Sequence, residues 1–180
     1  MADVKRIAVF GPESTGKTSL ARRLAAHFDE PWSIEYVRRY WDEHDATIRP
    51  ADLDAIARGQ IAGEDAAAAA ARRVCFCDTE LLTCVLWDDL LFRGSCPPWV
   101  REEAERRARG FALFLLCATD VPFEPDPQRC FPDPDGRAMC MRLWRETLTS
   151  RGLPFVELHG GDFEARALQA ICAVESVLGA

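Results

Sequence analysis

Ile7-Ala8-Val9-Phe10-Gly11-Pro12-Glu13-Ser14-Thr15-Gly16-Lys17-Thr18, followed at once by Ser19-Leu20-Ala21-Arg22-Arg23-Leu24, is the stretch that decides the fold. A short apolar strand breaks into Gly-x-x-x-x-Gly-Lys-Thr and resumes as a helix. That context separates a phosphate-binding loop from a glycine-rich turn that matches by chance. Gly11 and Gly16 permit backbone conformations and a close approach that a Cβ would obstruct. The loop amides converge on a phosphate at the positive end of the helix. Lys17 can reach β- and γ-phosphates, and the Thr18 hydroxyl can ligate Mg²⁺. The whole run from Gly11 to Ser19 is therefore the expected nucleoside-triphosphate segment.

Composition bounds the rest. A chain of 180 residues with 48% hydrophobic and 28% charged residues has the size and balance of one globular domain. The net charge of -7 argues against a duplex nucleic-acid binder, which normally presents a basic face. Eight cysteines stand at 75, 77, 84, 96, 117, 130, 140 and 172, with no Cys-x-x-Cys and no paired histidine spacing. They read as reduced thiols in a cytoplasmic protein. The start, Met1-Ala2-Asp3-Val4-Lys5, has no apolar signal region, and the longest apolar run, 111–118, is too short to span a membrane.

Strand and helix signals alternate from end to end, which indicates an α/β fold around a parallel sheet. Strands are predicted over 6–10, 33–36, 74–77, 112–117 and 155–158. Helices are predicted over 17–27, 51–73, 81–92, 102–109, 136–151 and 163–178. The exception is 120–135, where five prolines in sixteen residues forbid a continuous helix and leave little backbone for a sheet. A long irregular excursion in a compact domain reads as a functional lid. It carries Arg129 and leads to Arg137, cations of the kind that phosphoryl transfer uses.

Ligands of an open parallel sheet gather at the carboxyl ends of its strands. One such end is Glu35-Tyr36-Val37-Arg38-Arg39-Tyr40, where Glu35 is a candidate general base that orients a substrate hydroxyl. An ion pair with Arg38 or Arg39 is its competing role. Another is Cys77-Asp78-Thr79, where Asp78 is expected to face Mg²⁺, with a helix N-cap as a compatible second role. Trp41, Trp87 and Trp99, with Tyr36 and Tyr40, could supply a stacking face for a planar or cationic ring, although burial is the commoner fate of any one of them.

These segments, together with Arg58-Gly59-Gln60, Cys77-Asp78-Thr79-Glu80-Leu81-Leu82-Thr83, Asp120-Val121-Pro122-Phe123, Asp126-Pro127-Gln128-Arg129 and Gly152-Leu153-Pro154-Phe155-Val156-Glu157-Leu158, resemble the kinase domain of NadR-type ribosylnicotinamide kinases over nearly the whole chain. The resemblance implies a P-loop kinase fold, a five-stranded parallel sheet with helices on both faces and a lid over about 120–137, in a single domain across 1–180. It implies transfer of the ATP γ-phosphate, with Mg²⁺, to the 5′-hydroxyl of nicotinamide riboside, giving nicotinamide mononucleotide in NAD salvage. Carried over by position, Gly11, Gly16, Lys17 and Thr18 hold ATP, and Thr18 and Asp78 hold the metal. Glu35, Tyr36, Arg38, Gln60 and Thr79 face the acceptor. Lys17, Glu35, Asp78, Arg129 and Arg137 carry the catalysis. Three positions depart from the family pattern. The lid reads Asp126-Pro127-Gln128-Arg129 where the family has Asp-Gly-x-Arg, Arg39 stands where a glutamate is frequent, and Ile34 where some members have tryptophan. There is no His-x-Gly-His, so adenylyltransferase activity is not expected.

The expected partners are ATP and a small-molecule acceptor, without nucleic acid or membrane, and self-association as a homo-oligomer stays open. A kinase for another nucleoside or small hydroxyl compound is the main alternative, and an ATPase without an acceptor a weaker one. A strand-exchange recombinase shares the loop but not the acidity. A switch GTPase would need Asp-x-x-Gly and Asn-Lys-x-Asp, which the chain lacks.

Overall fold

The computed structural model of the protein describes residues 4–179. Strand β1 (Lys5–Phe10) lies at the centre of a sheet of five parallel strands. Beside it run β3 (Val74–Asp78) and β4 (Phe111–Cys117), with β2 (Trp32–Ser33) and β5 (Phe155–Leu158) at the edges, in the order β2-β3-β1-β4-β5. Both faces are covered, which is why these strands read as continuous apolar runs and not as alternating patterns. Ile7 and Val9 pack against Leu20 and Leu24 of α1 (Lys17–Phe28) and Ala170 and Val174 of α7 (Phe163–Leu178). Ala8 and Phe10 face the opposite way, into a core with α3 (Leu53–Ala70), α4 (Leu81–Leu91), α5 (Pro98–Ala108) and α6 (Pro134–Arg151). There the Phe10 ring meets Phe114 edge-on at 5.5 Å and lies 6.3 Å from the ring of the fully buried Trp144. Truncating Phe10 to alanine would cost about 3–5 kcal/mol.

The registers place the site. Val9 pairs with Asp78 and Phe10 with Leu116, so the three central strands end at one level, where the chain leaves β1 for the phosphate loop. This is the edge where an open parallel sheet collects its ligands.

Most elements fall where the sequence predicts them, and the differences have local causes. Strand β2 is only Trp32–Ser33, and the stretch predicted as its continuation opens an eight-residue helix, α2 (Tyr36–Glu43). β-branched and aromatic residues at 34–37 suggest a strand, yet Tyr36 and Tyr40 sit one helical turn apart with rings 6.5 Å from each other. The first amide of the helix, Tyr36 N–H, is taken by Gln60 Oε1 at 3.1 Å. Helix α3 stops at Ala70, short of the expected 73, because the Arg72 and Arg73 amides donate to the buried Glu30 carboxylate at 2.9 and 3.1 Å. Helix α5 starts at Pro98, earlier than expected, with proline in the first turn where its missing N–H costs nothing. Asp133 caps α6 through the Gly136 amide at 2.8 Å. Among the described residues no helix is long and apolar enough to cross a membrane.

Candidate active site

The phosphate loop is pressed close to β4: a Cβ on Gly11, at φ 144°, would come 2.8 Å from the Cys117 carbonyl oxygen. Thr15 Oγ1 donates to the Pro12 carbonyl at 2.8 Å, and Lys17 Nζ reaches across to the same oxygen at 2.7 Å. The Thr18 hydroxyl donates to Asp78 Oδ2 at 2.5 Å. Asp78 is 1% exposed and its other oxygen, Oδ1, has no partner. Its carboxyl is raised to about 7, first by burial and then by the charge of Glu35, against the pull of Lys17 and Thr18. A buried carboxylate oxygen without a partner beside a hydroxyl fits Mg²⁺, a hard cation that takes oxygen ligands and is often completed by phosphate and water. Among the described residues no group of three or more His, Cys, Asp or Glu forms a separate metal cluster.

Thr79 holds φ 64°, uncommon for a β-branched residue, where the chain turns off β3. The helix-capping role expected of Asp78 belongs to Glu80, whose Oε2 accepts from Leu82 N at 2.9 Å. Glu80 is wholly buried, and burial pushes its carboxyl up to about 8.

A cleft of about 930 Å³ runs from the phosphate loop past Asp78 to the space between α2, α3 and α4, within the range of small-molecule sites. Glu35, Arg38, Gln60, Thr79 and Arg129 all line it. The ion pairs that competed for Glu35 are formed elsewhere: Arg38 pairs with Asp126 at 2.9 Å, and Arg39 with Glu43 at 2.8 Å. Gln60 is spent on Tyr36 N and, through Nε2, on Glu64 at 3.2 Å. It holds α2 against α3 from the wall of the cleft.

Two expectations need correction. Tyr36 does not line the cleft. Its ring packs on Gly59, where a Cβ would come within 2.1 Å of it, and α3 can approach only because that residue is glycine. Tyr40 is also off the cleft, buried and stacked on His44 at 3.8 Å. The aromatic lining is instead Trp32, Trp41 and Trp87 with Phe92 and Phe163, whereas Trp99 stands outside and donates to Asp54 at 2.9 Å. The second correction is Arg137. Its guanidinium is buried under the lid, donating to the Thr119 and Val121 carbonyls at 2.8 and 2.7 Å and lying 5.4 Å from the Phe123 ring centroid. It anchors the base of the lid and does not border the cleft. Arg129 is the lid cation that does, within 3.1 Å of Ser14 Oγ.

Arg166 has more structural weight than its sequence context suggests. It is 3% exposed and donates to the carbonyls of Thr15 (3.2 Å), Ala118 (3.3 Å) and Gly160 (3.1 Å), and to the Asp120 carboxylate. One side chain thus joins the phosphate loop, the start of the lid and the turn after β5. An arginine in the first turn of a terminal helix gives no local sign of this.

Fold and site together define a P-loop nucleotide-binding domain. The chain belongs to the family described as AAA domain, which matches residues 6–166. It is 27% identical to the trifunctional NAD biosynthesis/regulator protein NadR of Salmonella typhimurium (strain LT2), over 98% of this chain and 43% of that protein. The same figures hold for NadR of Escherichia coli (strain K12). The chain thus spans under half the length of these curated relatives. A crystal structure of a NadR protein in complex with NAD and AMP-PNP superimposes with a TM-score of 0.75 at 25% identity, covering 99% of this chain and 50% of that one. One in complex with NR gives 0.76 at 23% identity, covering 99% and 52%. A deoxyadenosine kinase from M. mycoides shares the fold at a TM-score of 0.62 and 11% identity, covering 95% of this chain and 99% of that one. The five-stranded P-loop kinase fold expected from the sequence is the one observed.

Proposed function

We propose that this domain transfers the γ-phosphate of ATP to the 5′-hydroxyl of nicotinamide riboside. The observation that carries the reading is one continuous cleft that joins Lys17 and the Thr18–Asp78 pair to Glu35 and the tryptophan-lined space beyond. Phosphoryl transfer draws chiefly on positioning and electrostatics, and the residues are of the kinds it needs. Lys17 exchanges the Pro12 carbonyl for phosphate oxygens when nucleotide enters. Thr18 and Asp78 would hold Mg²⁺, which neutralises charge on the β- and γ-phosphates. Glu35 orients the acceptor hydroxyl. Arg129 faces the transferred group from the lid.

The choice of acceptor draws support from the far end of the cleft. Glu35 and Asp42 lie among its lining with Trp41, beside the Arg39–Glu43 pair and with Arg22 over Trp32, and carboxylates beside an aromatic face suit a ring with a fixed positive charge. Similarity to NadR over the whole chain supports the same acceptor. All eight cysteines are free, in keeping with a reducing cytoplasm. The test is ATP consumption by the purified protein against nicotinamide riboside, its acid analogue and the common purine and pyrimidine nucleosides. Preference for the two pyridine nucleosides supports the reading; turnover of adenosine or cytidine alone leaves a kinase with a different acceptor.

A further inference from the structure

The proline-rich lid makes almost no structure of its own. Between β4 and α6, Arg129 N to Asp126 O at 3.0 Å is its one internal backbone hydrogen bond among the described residues. Its middle, from Glu124 to Phe131, is held by Glu13 and Ser14 of the phosphate loop, in addition to Arg38 on Asp126. The Glu13 carboxylate accepts from Cys130 N–H (2.8 Å to Oε1, 3.0 Å to Oε2) and from Phe131 N–H (2.6 Å to Oε1). Ser14 Oγ accepts from Glu124 N–H at 2.8 Å and from Arg129 Nη1 at 3.1 Å. Ser14 itself sits at φ 56°, a conformation uncommon outside glycine.

We propose that Glu13 is a positioning residue for Arg129, an inference that rests on the kinase reading above. The two amides Glu13 grips belong to the residues directly after Arg129, so the grip fixes the backbone from which that arginine extends. The grip comes from the phosphate loop itself. Arg129 is therefore registered to the same backbone that binds the phosphates, and a displacement near 1 Å at a reacting group is enough to lose about a hundredfold in rate. Ser14 holds the Glu124 amide and the head of Arg129, and Arg137 and Arg166 hold the start of the lid, but none of these grips the backbone after Arg129; nor does the Arg38–Asp126 pair. That pair lies on the acceptor side and holds Asp126, three residues before Arg129, so it leaves the backbone that follows the arginine ungripped. Backbone amides donating to a carboxylate are charge-assisted, and here they fix the backbone itself. Glu13 thus acts through the lid, although its place in the loop suggests a nucleotide contact.

Two measurements on the full chain test this. Limited trypsinolysis without ligand, followed by mass spectrometry, reads cleavage between Arg129 and Cys130, the bond whose nitrogen Glu13 holds. Glu13→Ala should accelerate that cut about tenfold, as the loss of charge-assisted hydrogen bonds would, with Glu13→Gln intermediate. In turnover, Glu13→Ala should lower kcat at least tenfold with KM for ATP within about twofold, Glu13→Gln should recover part of the loss, and Glu13→Ala/Arg129→Ala should be no slower than Arg129→Ala alone. Unchanged cleavage, an unchanged kcat, or effects of the two substitutions that multiply would each overturn the proposal. Should Glu13→Ala fail to fold, Glu13→Gln keeps the shape and answers the same questions. A wild-type protein that phosphorylates no acceptor would sink the kinase reading, while the cleavage comparison would still decide whether Glu13 holds the lid.

Discussion

Asp78→Asn should make the ligand-free protein more stable at alkaline pH while removing most of its activity. The Asp78 carboxyl has an ordinary value of 3.8 and stands at about 7 in the fold, chiefly through burial and then through Glu35. A folded value above the unfolded one means that the fold is favoured most below 3.8, where the group is neutral in both states. That advantage is lost as pH rises through about 7. At 1.36 kcal/mol per pH unit, the easier ionisation of Asp78 in the unfolded chain weakens the fold by about 2 kcal/mol at pH 5.5 and about 4 kcal/mol at pH 8.5. Asparagine has no such ionisation, and its side-chain oxygen can still accept from Thr18. The stability difference between variant and wild type should therefore grow in favour of the variant by about 2 kcal/mol between pH 5.5 and pH 8.5. Urea unfolding of both proteins at several pH values, without nucleotide or metal, measures this directly. Adding ATP and Mg²⁺ should reverse the order, since stabilisation by a ligand scales with its affinity for the folded state. A stability difference that stays flat with pH, or a wild type that is the more stable at pH 8.5 without ligand, would refute the assignment of Asp78 as a strained, metal-ready carboxylate.

Other perturbations separate the remaining roles. Lys17→Ala should abolish phosphoryl transfer and leave circular dichroism unchanged, because the side chain serves phosphates and its one hydrogen bond among the described residues is to Pro12 O. An active variant would remove the loop from the account. Arg129→Ala should reduce kcat by on the order of a thousandfold with little loss of stability. Arg137→Ala should instead lower stability by about 1–3 kcal/mol, since it strands two carbonyl acceptors beneath the lid; the reverse ranking in paired melting and turnover assays would exchange their roles. Affinity for nicotinamide riboside should fall as salt rises, whereas a neutral nucleoside should show little dependence, because partly exposed carboxylates in the cleft are screened. Matching salt profiles in titration calorimetry would contradict a cation-selective acceptor site.

The central sheet was legible because each of its inner strands is an apolar run of four or more residues with a distinctive end: Gly11 after β1, Asp78 after β3, Asp120 beyond β4. The Thr18–Asp78 pair was legible because Thr18 opens the helix that follows the phosphate loop and Asp78 ends the strand beside β1, level with the start of that loop. Helix α2 was not, because its helical character resides in the packing of Tyr36 and Tyr40 on α3 and in a single glycine, Gly59, sixteen residues beyond the helix. The same packing moved the tyrosines out of the cleft and left Trp32 and Trp41 to line it. Arg137 and Arg129 carry the same charge in the same proline-rich context, and only the carbonyls of Thr119 and Val121 tell them apart. Long-range partners of this kind leave no local pattern. Neither do the contacts of Arg166 or Glu13, which join segments more than a hundred residues apart.

The most direct test is to identify the product. Purified protein would be incubated with ATP, Mg²⁺ and nicotinamide riboside, and phosphorus NMR with mass spectrometry would follow the phosphate. The account predicts one ADP formed per nicotinamide mononucleotide, with the phosphate on the 5′-oxygen and none formed by Lys17→Ala. ADP released without a phosphorylated riboside, or no turnover at all, would contradict it.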